Sequence, residues 1–257
     1  MRLSPFAPLD AWLAPAPAPD RVGWLREARY AHRGLHGDGR VENSPAAFAA
    51  ALERGMGIEC DVQRSADGNA MVFHDWHLDR LTAERGPVQA RTAAELGAIA
   101  LVGSEDTIPT LSQLLERIGG RVALLIEIKS KREVRYVPLC LAVRRALESY
   151  RGRAAVMSFD PRVVRWFHDQ APHVVRGLVV TEDGDRTLAA RCKRQVSLWR
   201  GKPEFLAYDV RDLPSRFAGA QRRRGLPLLT WTVRSPELAA RARAHADAPI
   251  AEGPGVE

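Results

Sequence analysis

Four short stretches carry side chains able to do chemistry together. His32-Arg33 and His74-Asp75 each set an imidazole beside a charged neighbour. Glu59-x-Asp61 places two carboxylates two residues apart, and Glu127-x-Lys129 places a carboxylate and an amine at the same spacing. An imidazole titrates near neutral pH, so two of them can serve as a general acid and base pair. Three buried carboxylates cost several kcal/mol each unless something neutralises them. Lysine and arginine can do part of that, and a hard divalent cation, Ca2+ or Mg2+, does it better through carboxylate oxygens. An ion-pair layer without metal is the plainer alternative.

The spacing matters because side chains alternate along a strand. In GIECDVQ, Ile58, Cys60 and Val62 face one way, and Glu59, Asp61 and Gln63 the other. In VALLIEIKS, Ile126 and Ile128 oppose Glu127 and Lys129. A buried parallel strand is expected to be apolar on both faces. Charges at the C-terminal ends of two such strands therefore mark the end where barrel enzymes build their sites.

The elements that must position these groups alternate. Strand patterns occur at ARYAHRG, GIECDVQ, AMVFHD, VALLIEIK, AAVMSFD, VVRGLVV, FLAYDV, LPLLTWTV and DAPIAEG, with amphipathic helical stretches between most of them. Such alternation implies a parallel sheet. Only RSADGN separates GIECDVQ from AMVFHD. Parallel neighbours need a crossover of about a dozen residues, whereas a few residues with Asp-Gly make a hairpin. AMVFHD is thus expected to pair antiparallel and to open an insertion over about residues 66–107. Removing it leaves eight strand–helix units over residues 28–257, the size of a (β/α)8 TIM barrel. An open doubly wound sheet is the runner-up, weakened by the lack of a GxGxxG turn after the first strand. Residues 1–27 read as a Pro/Ala-rich N-terminal arm, partly extended and lacking the continuous apolar core of a signal peptide.

Composition narrows the partners. The chain has 257 residues, 46% apolar and 27% charged, with a formal net charge of +7. A basic chain favours anions. The cluster Arg222, Arg223 and Arg224 reads as a solvated helix face, and no nucleic-acid-binding signature accompanies it. No apolar run is long enough to span a bilayer. Cys60, Cys140 and Cys192 are odd in number and far apart, which fits a reducing compartment and a cytoplasmic location. The basic surface and the arm are compatible with a membrane surface without showing one, and the oligomeric state is open. His36, His77, His168, His173 and His245 lack strand-end placement and take no role.

Taken in order, nine motifs resemble one family. They are His32-Arg33-Gly34, Glu42-Asn43-Ser44, Glu59-x-Asp61, Asp67-Gly68, His74-Asp75, Leu78-x-Arg80-Leu81-Thr82, Ile108-Pro109-Thr110-Leu111, Glu127-x-Lys129 and Trp231-Thr232-Val233. The chain, from about residue 28 to 254, resembles the glycerophosphodiester phosphodiesterases, relatives of the phosphatidylinositol-specific phospholipases C. The resemblance implies a barrel with a small subdomain inserted after the second strand, and metal-dependent hydrolysis of a small glycerophosphodiester to sn-glycerol 3-phosphate and an alcohol. It implies one divalent ion held by Glu59, Asp61 and Glu127, an acid/base pair in His32 and His74, and phosphate binding by Arg33 and Lys129. Trp231 would wall the pocket, and Glu42 matches a position near metal and substrate. Lysophospholipase D activity through the same site, and a non-catalytic phosphate- or lipid-binding barrel, are the competing readings. Two departures stand out: Val41 where the family usually has proline, and ADAPIAEGP near the C-terminus, with Glu252 near the place of an expected aspartate.

Overall fold

The structure, a computed structural model, describes residues 6–185 and 187–256; residues 1–5 of the expected arm, Arg186 and Glu257 lie outside the described residues. The described chain divides into two compact units, residues 30–154 and residues 6–29 with 155–256.

The N-terminal segment, expected to be a partly extended arm, is helical on both sides of a non-helical link at residues 15–18. It forms a helix, α1 (Ala7–Leu13), and a single turn, α2 (Pro19–Val22). Prolines sit in the first turn of each, where a missing N–H removes no helical bond. Asp10 is fully buried and accepts hydrogen bonds from Gln195 Nε2, from Trp199 Nε1 at 2.8 Å and from Gln221 Nε2 at 2.9 Å. Arg21 Nε donates to Glu204 at 2.5 Å, and Arg176 reaches the same carboxylate at 3.0 Å. Buried polar anchors hold the segment, which is why its prolines do not leave it loose.

The unit of residues 30–154 holds β1 (Tyr30–Ala31), α3 (Pro45–Glu53), β2 (Gly57–Arg64), β3 (Ala70–Val72), α4 (Ala93–Gly97), α5 (Leu111–Ile118), β4 (Leu124–Ile128) and α6 (Val137–Leu147). β2 pairs in parallel with β1 and β4. β3 pairs antiparallel with β2, Val62 opposite Val72, as the short loop of residues 65–69 requires. Beyond β3, Met71, Phe73, Leu78, Val88, Leu96, Leu101 and Ile108 form an apolar cluster of their own. Side-chain caps set helix starts: Ser44 Oγ accepts from Ala47 N at 3.1 Å, and Thr110 with Gln113 forms a reciprocal capping box.

The other unit alternates β5 (Ala154–Ser158), α7 (Pro161–Gln170), β6 (Val175–Val180), α8 (Leu188–Gly201), β7 (Phe205–Asp209), α9 (Arg216–Arg223), β8 (Leu228–Val233), α10 (Pro236–His245) and β9 (Ala248–Ala251). These strands pair in parallel in chain order. In neither unit does the strand order reverse, and a doubly wound sheet requires such a reversal. With β3 set aside, eight parallel strands alternate with helices, the (β/α)8 barrel class.

Candidate active site

Strand register brings the carboxylates together. Asp61 on β2 is the direct partner of Glu127 on β4, so the two side chains leave the sheet on one face as neighbours. Glu59 precedes Asp61 by two residues and shares that face. One oxygen from each of Glu59, Asp61 and Glu127 lies within 4.8 Å of the others, and all three residues are buried.

β1 ends abruptly, and the turn aims its cations at this cluster. Arg33 (φ 55°) and Gly34 (φ 77°) both adopt the left-handed conformation. A Cβ on Gly34 would also stand 2.9 Å from atoms of Ala47 and Phe48, so this glycine serves close packing on α3. Arg33 is a non-glycine residue held in a conformation that costs roughly 1–2 kcal/mol. Asn43 is left-handed as well (φ 57°), and its N–H donates to the Arg33 carbonyl at 2.8 Å. The two residues are therefore locked together, and both serve Asp61. Asn43 Nδ2 donates to Asp61 Oδ2 at 3.0 Å, and Arg33 Nε lies 3.3 Å from the same oxygen.

Lys129 follows Glu127 by two residues and closes the other side. Its Nζ lies 2.8 Å from Asp61 Oδ1 and 2.6 Å from Glu127 Oε1. Glu59 is treated differently. Its Oε2 accepts the Arg33 backbone N–H at 3.0 Å and stands 4.0 Å from His32 Nε2. Its Oε1 is buried with no hydrogen-bond partner.

The electrostatics follow this division. Burial, with the neighbouring charges of Asp61 and Glu127, pushes the Glu59 carboxyl well above its ordinary range. Asp61 is held below its range although burial acts the other way, because Lys129 and Arg33 flank it. Burial works against the charged form of Lys129, yet Asp61 and Glu127 raise its pKa on balance.

His74 stands two residues beyond β3. Its position is fixed from behind by Gln63, whose Nε2 donates to the carbonyls of Phe73 at 3.2 Å and His74 at 3.0 Å, and to that of Asp75. His74 Nδ1 is 2.6 Å from Asp75 Oδ1. That carboxylate holds the Nδ1–H tautomer and leaves Nε2 as the nitrogen that exchanges protons. Burial, aided by Lys129 and Arg33, lowers the His74 pKa, while Asp61 and Asp75 oppose the shift. Arg80 binds Asp75 Oδ2 at 2.5 Å and Glu42 Oε1 at 2.7 Å. Glu42 also accepts from Arg33 Nη1 at 2.8 Å. A chain of alternating charge thus runs from Arg33 through Glu42, Arg80 and Asp75 to His74.

The unit of residues 30–154 therefore holds eight of the nine residues expected at the site: His32, Arg33, Glu42, Glu59, Asp61, His74, Glu127 and Lys129. Trp231 lies on β8 in the other unit, its Nε1 donating to Ala207 O at 3.0 Å and its ring edge-on to Phe159 at 5.3 Å. Glu252, also there, pairs with Arg234 at 2.5 Å. Asn43, Gln63, Asp75 and Arg80 were not assigned roles from sequence. Gln63 had the clearest signal, being the third polar residue on one face of β2.

Carboxylate oxygens sharing one Ca2+ ion stand at most roughly 4.6–5.2 Å apart, twice the Ca–O distance, and those of Glu59, Asp61 and Glu127 lie within 4.8 Å of one another. A buried, unpartnered Glu59 Oε1 beside two other carboxylates is a hard-cation donor with nothing to bind, so the residues fit.

Comparison with known proteins agrees. The model of the glycerophosphoryl diester phosphodiesterase family matches residues 32–250. A glycerophosphodiester phosphodiesterase of Caldanaerobacter subterraneus subsp. tengcongensis is 32% identical over 240 residues, covering 87% of this chain and 93% of that protein. One from Bacillus altitudinis is 36% identical over 155 residues, 56% of this chain; the match spans 63% of that protein, under two thirds of its length. Among solved structures, an Oleispira antarctica phosphodiesterase in complex with its product sn-glycerol-3-phosphate superposes with a TM-score of 0.76 at 23% identity, covering 87% of this chain and 92% of that one. That last likeness carries the fold.

Proposed function

This chain belongs to the glycerophosphoryl diester phosphodiesterase family, and from that premise we propose that it hydrolyses glycerophosphodiesters to sn-glycerol 3-phosphate and an alcohol with His32 and His74 as its proton carriers. The carrying observation is the buried cluster of Glu59, Asp61 and Glu127, flanked by Arg33 and Lys129 and electrostatically coupled to His74. Residues 28–257 are taken as the catalytic barrel, about 66–107 as its insertion and 1–27 as the arm.

A phosphodiester resists hydrolysis because its anion repels nucleophiles and an alkoxide leaves poorly. Glu59, Asp61 and Glu127 would hold a divalent cation, Ca2+ or Mg2+ by the hardness of the donors, which would supply Lewis-acid stabilisation of developing negative charge. Arg33 binds the phosphate through a planar fork, and Lys129 adds a point charge. One imidazole takes the proton of the attacking hydroxyl, and the other returns a proton to the departing alcohol as the P–O bond breaks. Attack by the glycerol 2-hydroxyl through a cyclic phosphate, and attack by water, use the same two transfers. Asp75 and Arg80 hold His74, Gln63 holds its backbone, and Glu42 ties Arg33 to Arg80. Trp231 enters this reading on its motif alone.

Cys60, Cys140 and Cys192 form no disulfide among the described residues, which supports a reducing, cytoplasmic setting. No helix among the described residues is long and apolar enough to cross a membrane.

The test is release of glycerol 3-phosphate from glycerophosphocholine and glycerophosphoglycerol, with and without EDTA. Activity lost to EDTA and restored by one divalent ion is expected. No recovery with any divalent ion would remove the metal from the mechanism. Faster turnover of lysophosphatidylcholine than of glycerophosphocholine would move the assignment to a lysophospholipase D.

A further inference from the structure

Helix α8 buries Gln195, Leu198 and Gly201. Leu188, Cys192 and Val196 recur every fourth residue, so they line one stripe, and all three are exposed. Leu188 is 74% exposed and Val196 42%. The helix carries Arg191, Lys193, Arg194 and Arg200 and not one acidic residue. Arg191, Lys193 and Arg200 are exposed.

Helix α1 packs beside it. Asp10 is gripped by Gln195 and Trp199, and the Phe6 ring meets Trp199 edge-on at 5.8 Å. With Asp10 turned inward, α1 shows solvent Leu9 at 45% exposure and Trp12 at 77%. Single exposed apolar residues need no explanation. Four of them on two adjoining helices, one of which is purely basic, do.

We propose that α1 and α8 form a docking surface for an anionic phospholipid bilayer. Trp12, Leu9, Leu188 and Val196 would enter the headgroup–acyl boundary, where an indole is well placed and shallow apolar insertion is favourable. Arg191, Lys193 and Arg200 would sit at the phosphate level, attracted by the negative surface potential. Charge selects this occupant. A second copy meeting the same face would set two all-basic helices against each other, which costs energy. The inference stands on residues outside the catalytic cluster and does not depend on the reaction assigned to it.

The experiment is co-sedimentation of the full chain with phosphatidylcholine vesicles, with and without about 30 mol% phosphatidylglycerol. Binding is expected with the anionic vesicles, weakening as salt rises. The pair Trp12→Ala with Leu188→Ser, and separately Arg191→Glu with Lys193→Glu, should each weaken it by about tenfold. Both variants should keep wild-type melting temperature and wild-type turnover of a soluble glycerophosphodiester. No binding to anionic vesicles, or binding equal in the variants, overturns the proposal. So does sedimentation showing a dimer that Trp12→Ala dissolves in the absence of vesicles, which would make this a self-association face.

Discussion

Asp61 and Glu127 are register partners on neighbouring parallel strands, and the ammonium of Lys129 bridges them at 2.8 Å and 2.6 Å. The bridge, with Arg33 at Asp61, offsets the charge of two carboxylates of the cluster and leaves the third, Glu59, to burial and to the backbone N–H of Arg33. That asymmetry governs what the site can bind and how it responds to pH.

Replacing either imidazole tests the proton carriers. His32→Ala and His74→Ala are each expected to lower kcat by about 10²–10⁴-fold. Both side chains lie at strand ends, outside the apolar clusters, so thermal unfolding should move little. Near-normal turnover by either variant would refute its role.

Glu59 gives a pH-dependent signature in stability. Its folded pKa is raised, so its contribution is fully present below the ordinary carboxylate pKa and is lost as pH rises through the folded value. A divalent ion requires the ionised form and should relieve that loss. Saturating Ca2+ or Mg2+ is expected to raise the melting temperature by about 5 °C or more at pH 8, and by far less at pH 5. Glu59→Gln should abolish the difference. An equal shift at both pH values would remove Glu59 from the ion's ligands.

Asp75 acts through His74. Arg80 and His74 lower its pKa to about 2, so it stays charged across any assay range. Its carboxylate stabilises the imidazolium, and Asp75→Asn must therefore lower the His74 pKa further. The limb of the kcat/KM profile that His74 sets should move to lower pH, with kcat reduced by about tenfold or more. A profile of unchanged shape would reduce Asp75 to a structural part.

Asp10 should matter to stability alone. Asp10→Ala leaves the donors of Gln195, Trp199 and Gln221 unmet in a buried place, at about 1–3 kcal/mol for each donor that finds no other partner. Urea unfolding should shift accordingly, while turnover of a soluble substrate per folded molecule stays the same. Wild-type stability would mean that the N-terminal segment is not anchored through this carboxylate.

Much of the framework is legible in the sequence because it is written in local terms. Short β-like runs alternating with helical stretches locate the nine described strands. The five residues between β2 and β3 allow only a hairpin, and Ser44 before Pro45 marks the start of α3. Alternation also places Glu59, Asp61 and Gln63 on one face, and Glu127 with Lys129 on another strand's equivalent face. The N-terminal segment is where local reading fails. Its prolines suggest extension, and Pro15 and Pro17 do lie in a non-helical link, but Pro8 and Pro19 occupy first helical turns, and a buried Asp10 whose partners are 185 to 211 residues away anchors the segment.

The sequence by itself determined which groups could do chemistry here: two imidazoles, three carboxylates, an arginine and a lysine, each on a strand or just beyond one. Tertiary structure decided how they divide the work. Register made Asp61 and Glu127 neighbours, so that one lysine serves both. The left-handed turn at Arg33 and Asn43 brought a cation and an amide onto one oxygen of Asp61. Arg80, part of a motif whose residues had no role assigned along the chain, became the link between Glu42 and Asp75. Each of these rests on a contact between residues distant in sequence, formed only when the chain has paid the entropy of folding, and no periodicity encodes it.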